Sequence, residues 1–443
     1  MATLILQAAG AAIGSVFGPI GAAIGQAAGA LAGNMVDQAL FAPSRTIQGA
    51  RLSTARIAGA DEGQAITRLY GTARIGGTLI WATRFMEDVT VERSGGKGGG
   101  GGSTTVETFS YYANFALGLC EGEIASVRRI WADGQLLNRA KITMRVYRGT
   151  DSQMPDPLIL AKQGAGKAPA YRGLAYVVFE NFPLEHYGNR IPLMQFEVVR
   201  PIGNLESQIR AVTIIPGSTE HGYATQAVSE EIGMGELRII NRNISGADTD
   251  WQASLDELQD LCPHLKKVAL VVSWFGTDMR ASHCDIVPGV EVRKRLNESA
   301  PWQVGAYDRQ SAHLISKRDG GPAYGGTPSD KSVRQALADI KSRGLKACLY
   351  PFVMMDVPEG NDLPDPYGST QQEVYGWRGR VTCHPAIGRP GSADQTNAAR
   401  VQVNSFLNGA QGYRAMVLHY ANLVEDIGGI DLFLIGSELR GLT

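Results

Sequence analysis

Six residues stand at positions suited to chemistry: Glu438, Asp356, Trp274, Asp278, Trp377 and Arg378. Glu438 lies just past the apolar run Asp431-Leu-Phe-Leu-Ile435, Asp356 directly follows Ala347-Cys-Leu-Tyr-Pro-Phe-Val-Met-Met355, and Trp274 and Asp278 stand at the end of Lys267-Val-Ala-Leu-Val-Val-Ser-Trp-Phe275. Hydrolysis of a glycosidic bond needs two carboxylates facing each other across a sugar, about 5 to 10 Å apart, one protonated as acid and one ionised as nucleophile or base. Glu438 is placed as the acid/base. A second carboxylate on a late strand is missing, and Asp356 is a poor substitute for it. Trp274 and Trp377 offer rings for sugar stacking, and Asp278 and Arg378 are grouped with them as carbohydrate-binding residues. Glu438 has an alternative reading as a structural carboxylate paired with Arg440 or another arginine.

These residues are presented by a strand and helix alternation that begins near Ala247. Asp250 to Cys262 has helical spacing, with Trp251, Leu255, Leu258 and Cys262 on one face and Asp250 as N-cap. The run from Lys267 then reads as a buried parallel strand. A helix over 330–343, ended by Gly344, leads to the run from Ala347, and a helix over 411–426 leads through Gly428-Gly429 to the run from Asp431. Strand, helix, strand with consequential residues at the carboxyl ends of strands is the pattern of a (β/α) barrel. Three strands are recognisable where eight close a barrel. The expectation is an incomplete barrel over 246–443, the N-terminal portion of a longer protein, with no activity from these residues alone.

The N-terminal stretch, 1–42, is different. Gly10, Gly14, Gly18, Gly21, Gly25, Gly29 and Gly33 recur every three or four residues, with no charged residue before Asp37. On a helix these steps keep all seven within an arc of roughly 140°. Leu4, Ile5, Ile13, Phe17, Ile20, Ile24 and Leu31 fall opposite. Such a glycine zipper lets helix backbones meet closely without help from water, so the segment is read as a helix that associates in a channel or membrane. Gly costs a helix about 1 kcal/mol relative to Ala, and Pro19 breaks or kinks the run, so a flexible Gly/Ala tail is the competing reading. No Lys or Arg precedes Arg45, which argues against a signal peptide.

Between these regions, 43–245 reads as mainly β. Thr78 to Thr83, Ile142 to Tyr147, Leu174 to Phe179 and Met194 to Val199 are rich in β-branched and aromatic residues and bounded by turn formers. A Pro/Gly-rich excursion fills Asp151 to Ala170. The tract Gly95 to Ser103 reads as a mobile hairpin tip within 94–104. Tyr70, Trp81, Phe115 and Trp131 are expected in a β core. With 42 basic and 43 acidic residues, the net charge of −1 gives no sign of a nucleic-acid surface. The five cysteines are scattered, without a CxxC pair, and read as buried free thiols. No metal site and no cofactor is indicated.

Two sets of motifs resemble known families. Leu69-Tyr-Gly-Thr-Ala-Arg-Ile-Gly-Gly-Thr-Leu-Ile-Trp81, Tyr111-Tyr-Ala-Asn-Phe-Ala-Leu-Gly-Leu-Cys-Glu-Gly122 and Ile130-Trp-Ala-Asp-Gly-Gln-Leu-Leu137 resemble the tail-tip hub, or host-specificity, proteins of long-tailed phages and gene transfer agents. Leu434-Ile-Gly-Ser-Glu438 is similar to the strand-end motif of TIM-barrel glycoside hydrolases, whose Glu is the acid/base. Together with Ser273 to Arg280, Pro288 to Val290, Gly325 to Asp330, Tyr350 to Asp356 and Trp377 to Arg380, it resembles the TIM-barrel-like domain of gene transfer agent tail proteins.

Residue patterns and the resemblance together imply a multidomain fold: a Gly-zipper helix from the glycine spacing, then mainly-β hub domains and the α/β part of an incomplete TIM-barrel-like domain. The resemblance further implies a homotrimeric hub at the tail tip of a phage-like particle, made in the bacterial cytoplasm. The hub would close the channel and contact other tail-tip and distal tail proteins. It would meet the host envelope, whether polysaccharide, peptidoglycan or inner membrane, and let DNA pass without sequence-specific binding. A tail-borne glycosidase and a carbohydrate-binding module on an inactive barrel are the alternatives.

Overall fold

The computed structural model describes residues 2–15, 22–32, 45–48, 65–94, 104–215, 220–244 and 246–442. Two helices come first, α1 (Ala2–Gly14) and α2 (22–32). They meet at glycines: a Cβ on Gly10 would overlap the Gly25 carbonyl, and one on Gly29 the Leu6 carbonyl. Gly10, Gly25 and Gly29 thus stand at a close approach of α1 and α2. Leu4, Ile5, Ile13, Ile24 and Leu31 are left exposed. Gly14 ends α1. Gly18, Gly21, Gly33, Phe17 and Ile20 lie outside the described residues, as does the tract 95–103.

The β region is built from β1 (Arg45–Gln48), β2 (Gly71–Gly76), β3 (Thr78–Ala82), β4 (Met86–Ser94), the 18-residue β5 (Thr104–Glu121), β6 (Ser126–Ala132), β7 (Gln135–Leu136), β8 (Thr143–Tyr147), β9 (Leu174–Pro183) and β10 (Met194–Arg200). One sheet runs β1-β5-β9-β8, with β3 and β4 also on β5; the other runs β2-β10-β6-β7. The β4–β5 hairpin pairs as far as Ser94 opposite Thr104. Phe115, Phe179 and Phe182 from the first sheet and Ile130, Phe196 and Val198 from the second share one buried core, as in a two-sheet sandwich. Trp81 and Phe115 are buried as expected. Tyr70 is not: it is exposed, flanked by Arg68 and Arg200, and Trp131 sits half-buried under the Arg74 guanidinium, 3.9 Å from its ring centroid. Trp131 lies on an outward position of β6 and Tyr70 just ahead of β2, where arginines rather than another sheet lie over them. The expected excursion over 151–170 contains a helix, α3 (Pro157–Gln163), because Asp156 caps it by accepting from Leu158 N and Ile159 N.

The remaining chain forms a second unit. After α4 (Leu205–Gln208) come β11 (Ala211–Ile214), the hairpin β12 (Ser229–Gly233) and β13 (Glu236–Ile239), α5 (Asp250–Leu261), β14 (Lys267–Gly276) and β15 (Ile286–Val287). The two-residue strands β16 (Gly289–Val290), β17 (His313–Leu314), β18 (Lys317–Arg318) and β19 (Gly321–Pro322) follow, then α6 (Asp330–Ser342), β20 (Lys346–Met355), α7 (Asn397–Asn408), α8 (Tyr413–Asp426) and β21 (Leu432–Phe433). Strands β11, β14, β20 and β21 pair in parallel in that order. The parallel sheet therefore starts at Ala211, ahead of the boundary expected at 246, and has four parallel strands rather than three. β11 is only four residues long, too short for its pattern to stand out in sequence. Thr249, not Asp250, caps α5; Asp250 instead accepts from the Asn243 backbone. All five cysteines are free, four of them buried.

Alternation along the two long strands splits the sheet. Val268, Leu270, Val272 and Trp274 of β14 and Ala347, Leu349, Val353 and Met355 of β20 pack with Leu255, Val333, Leu337, Ile340, Met416 and Tyr420 of the helices. Val271, Ser273, Tyr350, Phe352 and Met354 point the other way and line an open groove of about 420 Å³ with Thr213, Ile215 and Tyr324.

An ionic cluster pins the loops around this sheet. Glu298 is bonded to His221 Nε2 at 2.7 Å and to Arg309 Nη2 at 2.6 Å, and Arg309 also reaches Glu220 at 2.7 Å. Burial, the largest single influence on Glu298, would raise its pKa; the hydrogen bonds from His221 and Arg309 and the Arg309 charge outweigh it and carry it down to about 2. A depressed carboxylate stabilises the fold fully above its unfolded pKa near 4.5 and loses that contribution as pH falls through about 2. The loss is roughly 3 kcal/mol over that window. Chemical denaturation between about pH 5 and 2 should therefore show a falling stability whose slope is markedly reduced in Glu298→Gln; an unchanged slope in the variant would contradict this assignment.

Candidate functional site at the carboxyl end of the parallel sheet

Glu438 lies five residues after β21, past a turn in which it takes a left-handed backbone with φ of 57°. Such a conformation costs a non-glycine residue about 1–3 kcal/mol and persists only where surrounding contacts enforce it. Those contacts are specific. The Glu438 Oε2 atom accepts from Trp377 Nε1 at 2.8 Å and forms an ion pair with Arg378 Nη2 at 2.8 Å. Arg378 is buried, with its guanidinium carbon 3.5 Å from the Phe352 ring centroid, and it also donates to the Ser437 carbonyl at 3.3 Å and to Ser437 Oγ at 3.1 Å. The Tyr350 hydroxyl contacts Ser437 Oγ. A Cβ on Gly379 would overlap the Trp377 ring, so a glycine there is what allows the indole to fold across the turn Arg378–Arg380.

Three of the six residues singled out in sequence thus converge: Glu438, Trp377 and Arg378. The Glu438 side chain is 52% exposed and Trp377 is 47% exposed, so a carboxylate and an indole face reach solvent side by side, next to the groove lined by Tyr350 and Phe352. The reading of Glu438 as a carboxylate paired with an arginine is realised by Arg378.

The other three are placed elsewhere. Trp274 is buried against α8, its Nε1 donating to the Tyr420 hydroxyl at 3.0 Å, and has no face for a sugar. Its parity on β14 puts it on the helix side of the sheet. Asp278 is buried and accepts from Arg280 Nη2 at 2.6 Å and Gln372 Nε2 at 2.7 Å. Burial would raise its pKa, but these bonds lower it, so it is an ionised tether between loops. Asp356, the substitute second carboxylate, is also buried. It accepts from Ser316 N at 3.0 Å and Ser316 Oγ at 2.5 Å and meets His313 Nε2 at 2.6 Å. Its pKa is lowered because these bonds outweigh its burial. Its carboxylate is spent on the 313–316 segment and is not presented beside Glu438.

Sequence reasoning missed Tyr350, Phe352 and Ser437. The signal was the alternation of Tyr350, Phe352 and Met354 along β20, which marks a second face of a strand read as uniformly buried. Among the described residues no group of three or more His, Cys, Asp or Glu side chains could hold a metal ion. Chemically, the site presents one carboxylate held by two donors beside an aromatic face. That arrangement suits hydrogen bonding to hydroxyls and stacking on a ring.

Residues 411–443, which carry α8, β21 and Glu438, match the model of the GTA TIM-barrel-like domain family. Among solved structures, a chain from the virion of a native gene transfer agent (GTA) particle is 40% identical over an alignment covering 48% of this chain and 44% of that chain, with a TM-score of 0.29. The present chain thus spans less than half the length of that relative. No curated protein matches. The resemblance to gene transfer agent proteins is thereby supported, and the segment bearing Glu438 is similar to the TIM-barrel-like domain of that type.

Removing Arg378 should cost more than removing the Glu438 charge. Glu438→Gln keeps an acceptor for Trp377 and loses a half-exposed ion pair, so stability should change by no more than about 1 kcal/mol. Arg378→Ala strips a buried guanidinium from Phe352, Ser437 and Glu438 and should cost about 2–3 kcal/mol. Urea denaturation of both variants tests this, and equal losses would contradict the positioning role given to Arg378.

Proposed function

We propose that the chain is a structural component of a gene transfer agent-like particle, placed at the tail tip as a homotrimeric hub that closes the tail channel and takes part in host attachment and DNA delivery. The observation that carries this reading is the match of residues 411–443 to the GTA TIM-barrel-like domain. The two-sheet β unit agrees with the motifs that resemble tail-tip hubs. The α1–α2 pair, whose backbones meet at glycines while Leu4, Ile5, Ile13, Ile24 and Leu31 face outward, supplies an apolar element that could plug the channel or enter the host's inner membrane on release. No helix among the described residues is long and apolar enough to cross a membrane alone, so in this reading the pair inserts as a unit.

The second reading is that the barrel-like unit binds envelope carbohydrate, with or without hydrolysis by Glu438 in a longer protein. The half-exposed Trp377 indole fixed beside the Glu438 carboxylate favours it. Its ligand would be a polysaccharide or peptidoglycan strand, with hydroxyls on Glu438 and a sugar face on Trp377.

Immunogold labelling of purified particles with antibodies against the α/β unit should mark the free end of the tail; label confined to the head, or particles without the chain, would contradict the hub reading. For the second reading, pull-down with peptidoglycan and envelope polysaccharide should capture the full chain, and Trp377→Ala should weaken capture roughly tenfold. Equal capture of both proteins would remove Trp377 from the site.

A further inference from the structure

Among the described residues the joint between the β unit and the α/β unit carries ion pairs but no shared apolar cluster. Between the two units the chain runs through 201–210, where Ile202 and Leu205 are exposed and Ile209 packs only against the α/β core. Among the described residues each apolar cluster stays within one unit: Phe115, Phe179 and Phe196 in the β sandwich, Leu255, Val272 and Leu337 around the parallel sheet. Facing each other across the joint are an acidic edge of α5 and arginines of the sandwich. Asp256, Glu257 and Asp260 fall on one side of α5 through their i, i+3 and i, i+4 spacing. Arg128 Nη2 lies 3.2 Å from Glu257 Oε2, and Arg148 pairs with Asp260. All four side chains are about one-third to two-fifths exposed. Between the pairs is a cavity of about 470 Å³ lined by Ser126, Arg139 and Gln259 together with the apolar Val127, Ile244 and Ala253, open to solvent rather than filled by side chains.

We propose that this joint is an electrostatic clasp that holds the two units in one arrangement at low ionic strength and lets them reorient as intact bodies when the pairs are screened. Half-exposed ion pairs hold weakly and lose strength with salt. The screening length falls from about 10 Å at 0.1 M salt to about 3 Å at 1 M, close to the separation of the paired groups. With no apolar cluster shared between the units among the described residues, relative motion of two such units is the physical default once the pairs are gone. The clasp would set the direction in which the Glu438 end of the sheet faces without altering the site itself.

X-ray scattering from the full chain tests this. The radius of gyration should rise by roughly a tenth between about 0.05 M and 1 M NaCl, with far-UV circular dichroism unchanged. Arg148→Glu should give the expanded form at low salt, and Arg148→Glu combined with Asp260→Arg should restore the compact form. A scattering profile that ignores salt would overturn the proposal. So would failure of the swapped pair to restore compactness, or loss of cooperative unfolding in Arg148→Glu, since the pair would then be holding a fold rather than a joint.

Discussion

Ten consecutive residue pairs join β14 to β20 in parallel register, from Lys267 opposite Lys346 to Gly276 opposite Met355, and the rest of the α/β unit depends on that ladder. Parallel pairing forces both carboxyl ends to one edge and demands a crossover helix between them, here α6. Because side chains alternate, the register also decides which residues are covered by helices and which face the groove. Trp274 falls to the helix side. Tyr350 and Phe352 fall to the groove side, and Phe352 becomes the platform on which Arg378 lies.

Arg378 then links the sheet to the site. Its planar guanidinium stacks on Phe352, bonds the Ser437 carbonyl and hydroxyl, and meets the Glu438 carboxylate. A lysine could not stack and fork in this way. The left-handed turn at Glu438 is held by Arg378 below and Trp377 beside it, so the carboxylate has a fixed direction although it is half exposed.

Much of this was legible in the residues. The buried runs of β14 and β20, the helices between them and the position of Glu438 past a strand end followed from hydrophobic pattern, and the free thiols from cysteine spacing. The grouping of Trp377 and Arg378 with the candidate site was legible too, although not their direct contact with Glu438. What was not legible depended on tertiary parity or on partners distant in sequence. Trp274 and Trp377 look equivalent in a string of letters, yet strand alternation buries one and a glycine turn exposes the other. Asp278 and Asp356 look like free carboxylates until Arg280, Gln372, His313 and Ser316 are seen to occupy them. The short β11 was invisible because four residues carry too little pattern. The glycine periodicity did not show that Gly10, Gly25 and Gly29 would approach one another within one chain, because the partner of a glycine face is not encoded in its spacing.

These features combine into a chain with three differently built parts: an apolar glycine-faced helix pair, a two-sheet sandwich and a barrel-like unit carrying Glu438. The proposed tail-tip hub would give each part a task, in the channel, the ring and the outward-facing envelope contact. The most direct measurement is a cryo-EM reconstruction of the tail tip of purified particles. The account predicts three copies of the β sandwich around the tail axis, the helix pairs on that axis and the Glu438 end of each parallel sheet turned outward. A tip built without this chain, or with its sandwich off the axis in another copy number, would contradict it.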